Sequence, residues 1–401
     1  MIPTPWFRLL GGCLLLTLCL PSHAFPATFR DNTAKVVSDG MQADFQGKCT
    51  DCPSAGKDTT GSVHDSQFRI MAYNVENLFD TIHAQGKLDE EFTPQGERGW
   101  NSIRFAHKLS QLARTIAAAS EQRPAALVAL CEVENDSVLS HFTRKTKLTR
   151  LGYNYLITNS QDPRGLNVAL LYQPAFFRPI QKDSIRVAPT HKRLHPSRDV
   201  LHVAGQIPTG DTLDIFVVHL PSRRNGKTSK TYREAFAKAI KHYTDSLFLL
   251  RQTPNLILMG DFNAYYPEKL FTRILHTHLP DSETPVEPRE LYLLSHNLKA
   301  AYDIAGTYKF QGQWNQLDNF IISGTLLKMP LADQRNTPLQ DQIPTPPHPY
   351  TEPENCKIVD FPFLFLLDST HETVTPFRSF KGNFYAGGFS DHLPLILDLF
   401  Y

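Results

Sequence analysis

Seven polar residues stand where apolar runs begin or stop, and their types suit one kind of chemistry. Asn74 follows the run "IMAY", Glu132 ends "ALVALC", His219 ends "DIFVV", and Asp261 and Asn263 follow "NLILM". Asp318 and His392 do the reverse, each opening an apolar run. One such residue alone is ordinarily a turn group or a satisfied core group. A carboxylate set hard against a core, as at Glu132, is costly unless it is paired or bound to metal. Complementary groups of this number exceed what turn chemistry requires.

The set suits phosphoester cleavage. An attacking water needs a base, and His392 is the natural candidate near neutral pH. Either Asp318 or Asp391 would fix the tautomer of its ring. Glu132 and the Asn74 amide offer hard oxygen ligands to Mg²⁺, an ion that keeps several waters and would polarise a phosphoryl oxygen. Asn263 and His219 would donate hydrogen bonds as charge develops on the non-bridging oxygens. Beyond His219, "HLPSRRNGKTSK" collects Arg223, Arg224, Lys227 and Lys230 in what reads as a basic loop. Arginine forks match phosphate, so Arg223 and Arg224 are expected substrate contacts. Ser390, beside Asp391 and His392, has no motif for a covalent nucleophile and is expected to be a strand-entry bystander.

The elements that position these groups alternate in type. "FRIMAYNV", "ALVALCEVE", "GLNVALLY", "DIFVVHL", "NLILMGDFNA", "LDNFIIS" and "HLPLILDL" read as strands. "NSIRFAHKLSQLARTIAAAS" is an amphipathic helix with Ile103, Leu109, Leu112, Ala113 and Ile116 on its apolar stripe. "KTYREAFAKAIKHYTDSLFLL" is a second, with Tyr232, Phe236, Ile240, Tyr243 and Leu247 on one face. In a mixed sheet the start of an antiparallel strand lies beside its neighbours' ends, so one edge can collect the whole set. The closing strand, begun by His392, is expected to run against the strands that end at Glu132 and Asp261.

Composition bounds the rest. The chain has 401 residues, 41% hydrophobic, with a formal charge of +1, so any attraction to phosphate must be local. Residues 1–24 read as a signal peptide: Arg8, an apolar run from Leu9 to Leu20, then Pro21 and the small-x-small stretch Ser22-His23-Ala24. That run is too short to span a bilayer, which takes roughly 20 residues. The protein is therefore expected to be exported, periplasmic or secreted, with no stable membrane anchor after cleavage, and monomeric. Residues 25–66 read as a linker whose Cys49 and Cys52 suit a local disulfide in an oxidising compartment. Residues 67–401 read as one α/β domain with a Pro-rich surface excursion at about 325–377. Within it "FPFLFLL" is expected to be a buried strand rather than a membrane-touching hairpin.

Taken in order, "YNVENLFD", "LCEVEN", "GLNVALLY", "VVHLPSRR", "GDFNA", "LDNFIIS" and "GGFSDHLPL" closely resemble the endonuclease/exonuclease/phosphatase superfamily. The resemblance spans about residues 68–401. It implies a DNase-like four-layer α/β/β/α sandwich with two mixed β-sheets, and Mg²⁺ or Mn²⁺ dependence. It further implies Glu132 as principal metal ligand with Asn74 beside it, and His219 as a phosphate contact. Asp261 and Asn263 would orient the nucleophile and hold the phosphate. Asp318 would pair with the catalytic His392, and Asp391 would reach the metal. The motif leaves open whether Asp261 or His392 takes the water's proton. Two departures stand out: Cys131 replaces the usual Gln before the metal-binding Glu, and the Asn often found before His219 is missing. The function implied is that of an exported phosphodiesterase, foremost a nuclease acting on a phosphoester substrate such as nucleic acid. A phosphatase or sphingomyelinase-type phospholipase is the alternative, and a catalytically inactive phosphate-binding protein the third reading.

Overall fold

A computed structural model describes residues 67–121, 123–329, 348–368 and 373–401. The signal-peptide stretch and Cys49 and Cys52 lie outside the described residues. In chain order the first half contains β1 (Gln67–Leu78), α1 (Ser102–Ala119), β2 (Ala125–Val133), α2 (Asp136–Arg144), β3 (Asn154–Ile157), β4 (Asn167–Tyr172), β5 (Arg178–Ile185), β6 (Val200–Gln206) and β7 (Thr212–His219). The second half contains α3 (Gly226–Leu250), β8 (Asn255–Asp261), β9 (Thr277–His278), β10 (Leu291–Leu293), β11 (Tyr308–Phe310), β12 (Gln313–Asn315) and β13 (Asp318–Ser323). It closes with β14 (Cys356–Ile358), β15 (Phe365–Asp368), β16 (Thr373–Pro376), β17 (Phe380–Lys381), β18 (Phe384–Tyr385) and β19 (Leu395–Phe400).

Two large mixed sheets organise these strands. One has six strands in the order β14-β19-β1-β2-β4-β3, the other seven in the order β5-β6-β7-β8-β13-β10-β9. Period-two alternation divides the central strands of the second sheet between two cores. Ile215, Val217, Ile257, Met259, Phe320 and Ile322 face the first sheet and join Tyr73, Val128 and Leu130 in one buried cluster. Phe216, Val218, Leu256, Leu258 and Ile321 face the opposite way and pack on Tyr232, Phe236 and Ile240 of α3. On the first sheet, α1 buries Leu109, Leu112, Ala113 and Ile116. The Asn101 side chain caps α1 by accepting from the Ile103 and Arg104 N–H groups, both at 3.1 Å. The result is the expected four-layer α/β/β/α sandwich.

Four local expectations are corrected. The last strand opens at Leu395, past Pro394, and pairs with β1 and β14 rather than with β2 or β8. The strand that runs against β8 is β13, with Asp318 opposite Asp261. Ile103 is 78% exposed, because at 3.6 residues per turn it falls on the side of α1 opposite the buried stripe of Phe105, Leu109, Leu112 and Ile116. Residues 348–368 do not stay on the surface: β14 forms an edge of the first sheet, and Tyr350 exchanges backbone hydrogen bonds with Phe400. Within "FPFLFLL", β15 makes a two-stranded hairpin with β16, burying Leu364 and Phe365 but leaving Leu366 44% and Leu367 82% exposed. Phe365 and Leu367 lie on the same face of the ribbon, so exposure sets in along the strand rather than by alternation between its faces. Among the described residues, no helix is long and apolar enough to cross a membrane.

Candidate active site

The parallel strands β1 and β2 of one sheet, and β7 and β8 of the other, end at the same edge of the sandwich. They deliver Asn74, Glu132, His219 and Asp261 there, all buried or nearly so. The amide of Asn74 joins the sheets: its Nδ2 lies 3.4 Å from Glu132 Oε1 and 3.2 Å from Asp261 Oδ2. His219 Nε2 faces the same two carboxylates, at 3.8 Å from Glu132 and 3.6 Å from Asp261. The Asn263 N–H donates to Asp261 Oδ1 at 2.8 Å, and its side-chain amide reaches Asp261 Oδ2 at 3.0 Å. Across β13, Asp318 Oδ2 lies 2.6 Å from His392 Nδ1 and accepts from the Thr307 hydroxyl at 2.6 Å. Tyr308 packs on the His392 ring, with centroids 4.8 Å apart. The structure therefore brings all of the strand-border residues to one edge.

Strained backbone supports this edge. Glu76, Asn77, Glu132 and Asn263 all adopt left-handed φ, between 48° and 67°. Non-glycine residues rarely do so, and such strain persists where the surroundings over-determine it. Its local effect is visible at Asn77, whose N–H turns to donate to Glu132 Oε2 at 2.8 Å. Gly260, with φ 125°, lets β8 pass close to β7: a Cβ there would meet Val218 O at 2.2 Å. Only glycine allows Asp261 to end its strand beside His219. Where a Gln is usual, Cys131 donates weakly to Val218 O at 3.3 Å, linking the two sheets. Ser390 accepts from the His392 N–H and donates to Asn74 O at 2.7 Å, a hydrogen-bonded strap rather than a nucleophile.

The charges divide by environment. Burial, with like charge from Asp318 and Glu132, pushes the Asp261 carboxyl up to about 7 against the pull of His392 and the Asn263 N–H. Burial also opposes a charged His392, but Asp318, supported by Asp261 and Asp391, outweighs it and pushes the ring up to about 10. Burial would raise Glu132 too, yet Arg164, Arg198 and His392 hold it below the usual carboxylate range. Burial, reinforced by Arg198 and Arg164, keeps His219 well below the usual histidine range and neutral.

These arginines were not singled out in the sequence. Arg198 donates to Leu220 O and Asp162, and Arg164 Nη1 lies 3.4 Å from Asn77 Oδ1. Arg378 donates to Asp391 Oδ2 at 2.8 Å and lies 3.5 Å from Glu76 Oε1. Their sequence signal was slight: "DPRG" and "PSRD" each set an arginine shortly before a strand. The expected basic loop is a short turn, Arg223–Asn225, followed by α3, which carries Lys227 and Lys230 in its first turns. Arg223 reaches Asn263 O at 3.4 Å but is also paired with Glu268 at 2.5 Å, and Arg224 is exposed.

Behind the edge, Lys108 of α1 is 1% exposed and donates to Glu76 O at 2.7 Å, Ser379 Oγ at 2.5 Å and Phe389 O at 3.3 Å. It ties the strained bulge of β1 to the segment that carries Asp391 and His392. Removing one partner of such a network leaves buried polar groups uncompensated, so Lys108→Met is expected to cost about 3–5 kcal/mol. Urea denaturation checks this, and a loss below about 1 kcal/mol would contradict the clamp.

As placed, Asn74 offers its N–H to the carboxylates, while its carbonyl accepts from the Glu76 N–H at 3.1 Å. It therefore spans the acids rather than presenting a ligand oxygen. Asp391 is likewise engaged by Arg378, which leaves Glu132 as the first oxygen donor available to a cation. Among the described residues, the acid and histidine atoms clustered within 4.8 Å are those of His83, Asp89 and Glu90, a partly exposed group that includes none of these residues.

The profile of the Endonuclease/Exonuclease/phosphatase family matches residues 69–400. No curated protein matches the chain. Among solved structures, truncated TDP2 of Caenorhabditis elegans is similar at 13% identity and TM-score 0.48, covering 84% of this chain and 98% of its own. The human Nocturnin catalytic domain with bound sulfate is similar at 16% identity and TM-score 0.46, covering 84% of this chain and 96% of its own. An endonuclease/exonuclease/phosphatase family protein of Bacteroides thetaiotaomicron stands at 15% identity and TM-score 0.47, covering 84% of this chain and 99% of its own.

Proposed function

The chain belongs to the endonuclease/exonuclease/phosphatase family, whose enzymes are metal-dependent phosphoesterases, and from that premise we propose that it is an exported, Mg²⁺- or Mn²⁺-dependent nuclease. The observation that carries this reading is the Asn74 amide set between Glu132 of one sheet and Asp261 of the other. It joins an ionised carboxylate to a carboxyl held near neutrality, at an edge ringed by arginines.

The donor chemistry fits a small hard cation. Glu132 is ionised and partly open, with only the long Asn74 and His219 approaches on Oε1. Mg²⁺ retains waters and needs only one or two carboxylates, so Glu132 would hold it, with Asp391 and a turned Asn74 amide as further oxygens. Bound there, the cation supplies charge stabilisation to the phosphoryl group and the departing oxygen. The chain's own groups do the rest. Asp261 takes the proton from the attacking water, because its raised carboxyl is a better base than an ordinary aspartate. Asn263 orients that carboxylate through its backbone and side-chain N–H groups. His392, kept cationic by Asp318, donates to a non-bridging oxygen as negative charge grows, and neutral His219 donates beside it. The attack is in line, with no covalent serine. Export rests on the apolar leader at 9–20.

A second reading has its own support. The hairpin of β15 and β16 exposes Leu366 and Leu367 on its two sides, apolar side chains suited to dipping into a lipid surface and hence to a phospholipase acting on headgroups. The test is hydrolysis of single-stranded oligonucleotide, sphingomyelin vesicles and inositol phosphates by the purified chain in Mg²⁺ or Mn²⁺. The nuclease reading expects the oligonucleotide to be cut fastest, with a rate that falls steeply with salt. Cleavage of sphingomyelin with the oligonucleotide spared would replace it by the second reading.

A further inference from the structure

A cavity of about 340 Å³ opens on the outer side of the second sheet, beside the catalytic edge. Tyr265, Tyr266, His296, Trp314, Gln316 and Asn319 are among the residues that line it. It lies close to the reacting groups. Gln316 Nε2 donates to Asp318 O at 2.6 Å, and Asn319 Nδ2 reaches Ala264 O, next to Asn263, at 3.4 Å. Arg223 covers the Tyr265 ring, with its guanidinium carbon 4.7 Å from the ring centroid. A chain whose phosphate lay at Asp261 and Asn263 would place its next substituent at this opening.

The lining has a definite chemistry. It contains no lysine, arginine or carboxylate. Its one imidazole, His296, is held below the usual histidine range by burial. A second phosphate, as on an inositol polyphosphate, would find no counter-charge in the lining itself, and the cations over its rings, Arg223 at Tyr265 and Lys309 at Trp314, are already paired with Glu268 and Asp368. The walls are aromatic rings and side-chain amides. Two buried atoms have no hydrogen-bond partner among the described residues: the Trp314 Nε1 donor and the Gln316 Oε1 acceptor. Buried groups in that state are costly and rare. One donor and one acceptor among aromatic walls match a neutral, planar heterocycle with a polar edge. A trimethylammonium headgroup would also suit aromatic walls, but it can neither accept from Trp314 nor donate to Gln316.

We propose that this cavity is a nucleobase subsite, seating the base of a nucleotide that flanks the scissile phosphate. The inference rests on the nuclease reading above and deepens it. Stacking provides the hold, and a turn of the Trp314 or Gln316 side chain would bring its unpaired, buried atom to the base edge. Stacking on an aromatic side chain tolerates any base, so this subsite asks for a base without choosing strongly among them.

The test uses the full chain in Mg²⁺ on short single-stranded oligonucleotides that carry one abasic tetrahydrofuran residue, moved position by position past the scissile bond. At one position, removal of the base is expected to lower kcat/KM about tenfold or more. Trp314→Ala is expected to cause a similar loss on the base-bearing substrate, and the two changes combined to cost no more than either alone. Trp314→Phe, which keeps a ring and loses the N–H, is expected to recover most of the rate and serves if the alanine variant does not fold. Losses that simply add would overturn the subsite, as would a Trp314→Ala defect confined to a phosphocholine ester. Failure of the wild type to cut any oligonucleotide, base-bearing or abasic, is a separate outcome. It removes the nuclease reading and this assignment with it.

Discussion

Asp261→Asn is expected to lower kcat on an oligonucleotide by about a thousandfold, with KM little changed. The substitution keeps the size of the side chain and an oxygen to accept from the Asn263 N–H, but its NH2 can accept neither the Asn263 amide nor a proton. Asp261 is buried opposite Asp318, and the shared burial and like charge push its carboxyl up to about 7. The base form exists above that value, so the rate should rise with pH through about 7. It should fall again through about 10, where His392 loses the charge it donates. A dication at Glu132 favours the ionised carboxylate and draws the acid limb downward. In Asp261→Asn the acid limb should disappear along with the rate. A variant that keeps that limb, or retains a rate near the wild type's, would move the base to another group.

Glu132→Gln should be nearly as damaging, by a different route. This carboxylate is held ionised by Arg164, Arg198 and His392 against burial, and the strained backbone of Asn77 supplies an N–H to its Oε2. Glutamine preserves that contact and removes the charge. Lewis-acid stabilisation of a phosphoryl transition state is worth several kcal/mol, so the expected loss is on the order of a thousandfold. Unlike Asp261→Asn, it should come with a sharply raised Mg²⁺ concentration for half-maximal rate. Titration of the rate with Mg²⁺ separates the two variants. An unchanged Mg²⁺ dependence in Glu132→Gln would show that the cation is held elsewhere.

The strand-border residues could be read from the sequence because burial marks them. An apolar run that stops at a charged group shows its own end, and "GDFN" after "NLILM" could hardly lie elsewhere. Which strands those ends meet was not readable. His392 was expected beside β2 and β8, yet its strand pairs with β1 and β14, and the neighbour of Asp261 is Asp318 on β13. Register across a sheet depends on long-range packing that no local pattern encodes. Lys108 and Arg378 were hidden for a related reason. A lysine on an amphipathic helix reads as solvated, and it takes the distant segments at Glu76, Ser379 and Phe389 to give Lys108 buried oxygens to meet. Asn74 was expected as a ligand from its type, but the turn of β1 aims its carbonyl at the Glu76 N–H instead. The apolar run at 361–367 shows the limit in the opposite direction: its composition calls for burial, yet the hairpin carries Leu366 and Leu367 beyond the packed residues Leu364 and Phe365 into solvent.

The most direct measurement of the central claim is the initial rate of oligonucleotide hydrolysis by the purified chain in Mg²⁺, after EDTA, and after Mg²⁺ is restored, run beside His392→Ala. The account predicts cleavage that EDTA abolishes and Mg²⁺ restores, and that His392→Ala loses in every condition. Cleavage that survives EDTA, or that is undiminished in His392→Ala, would contradict it.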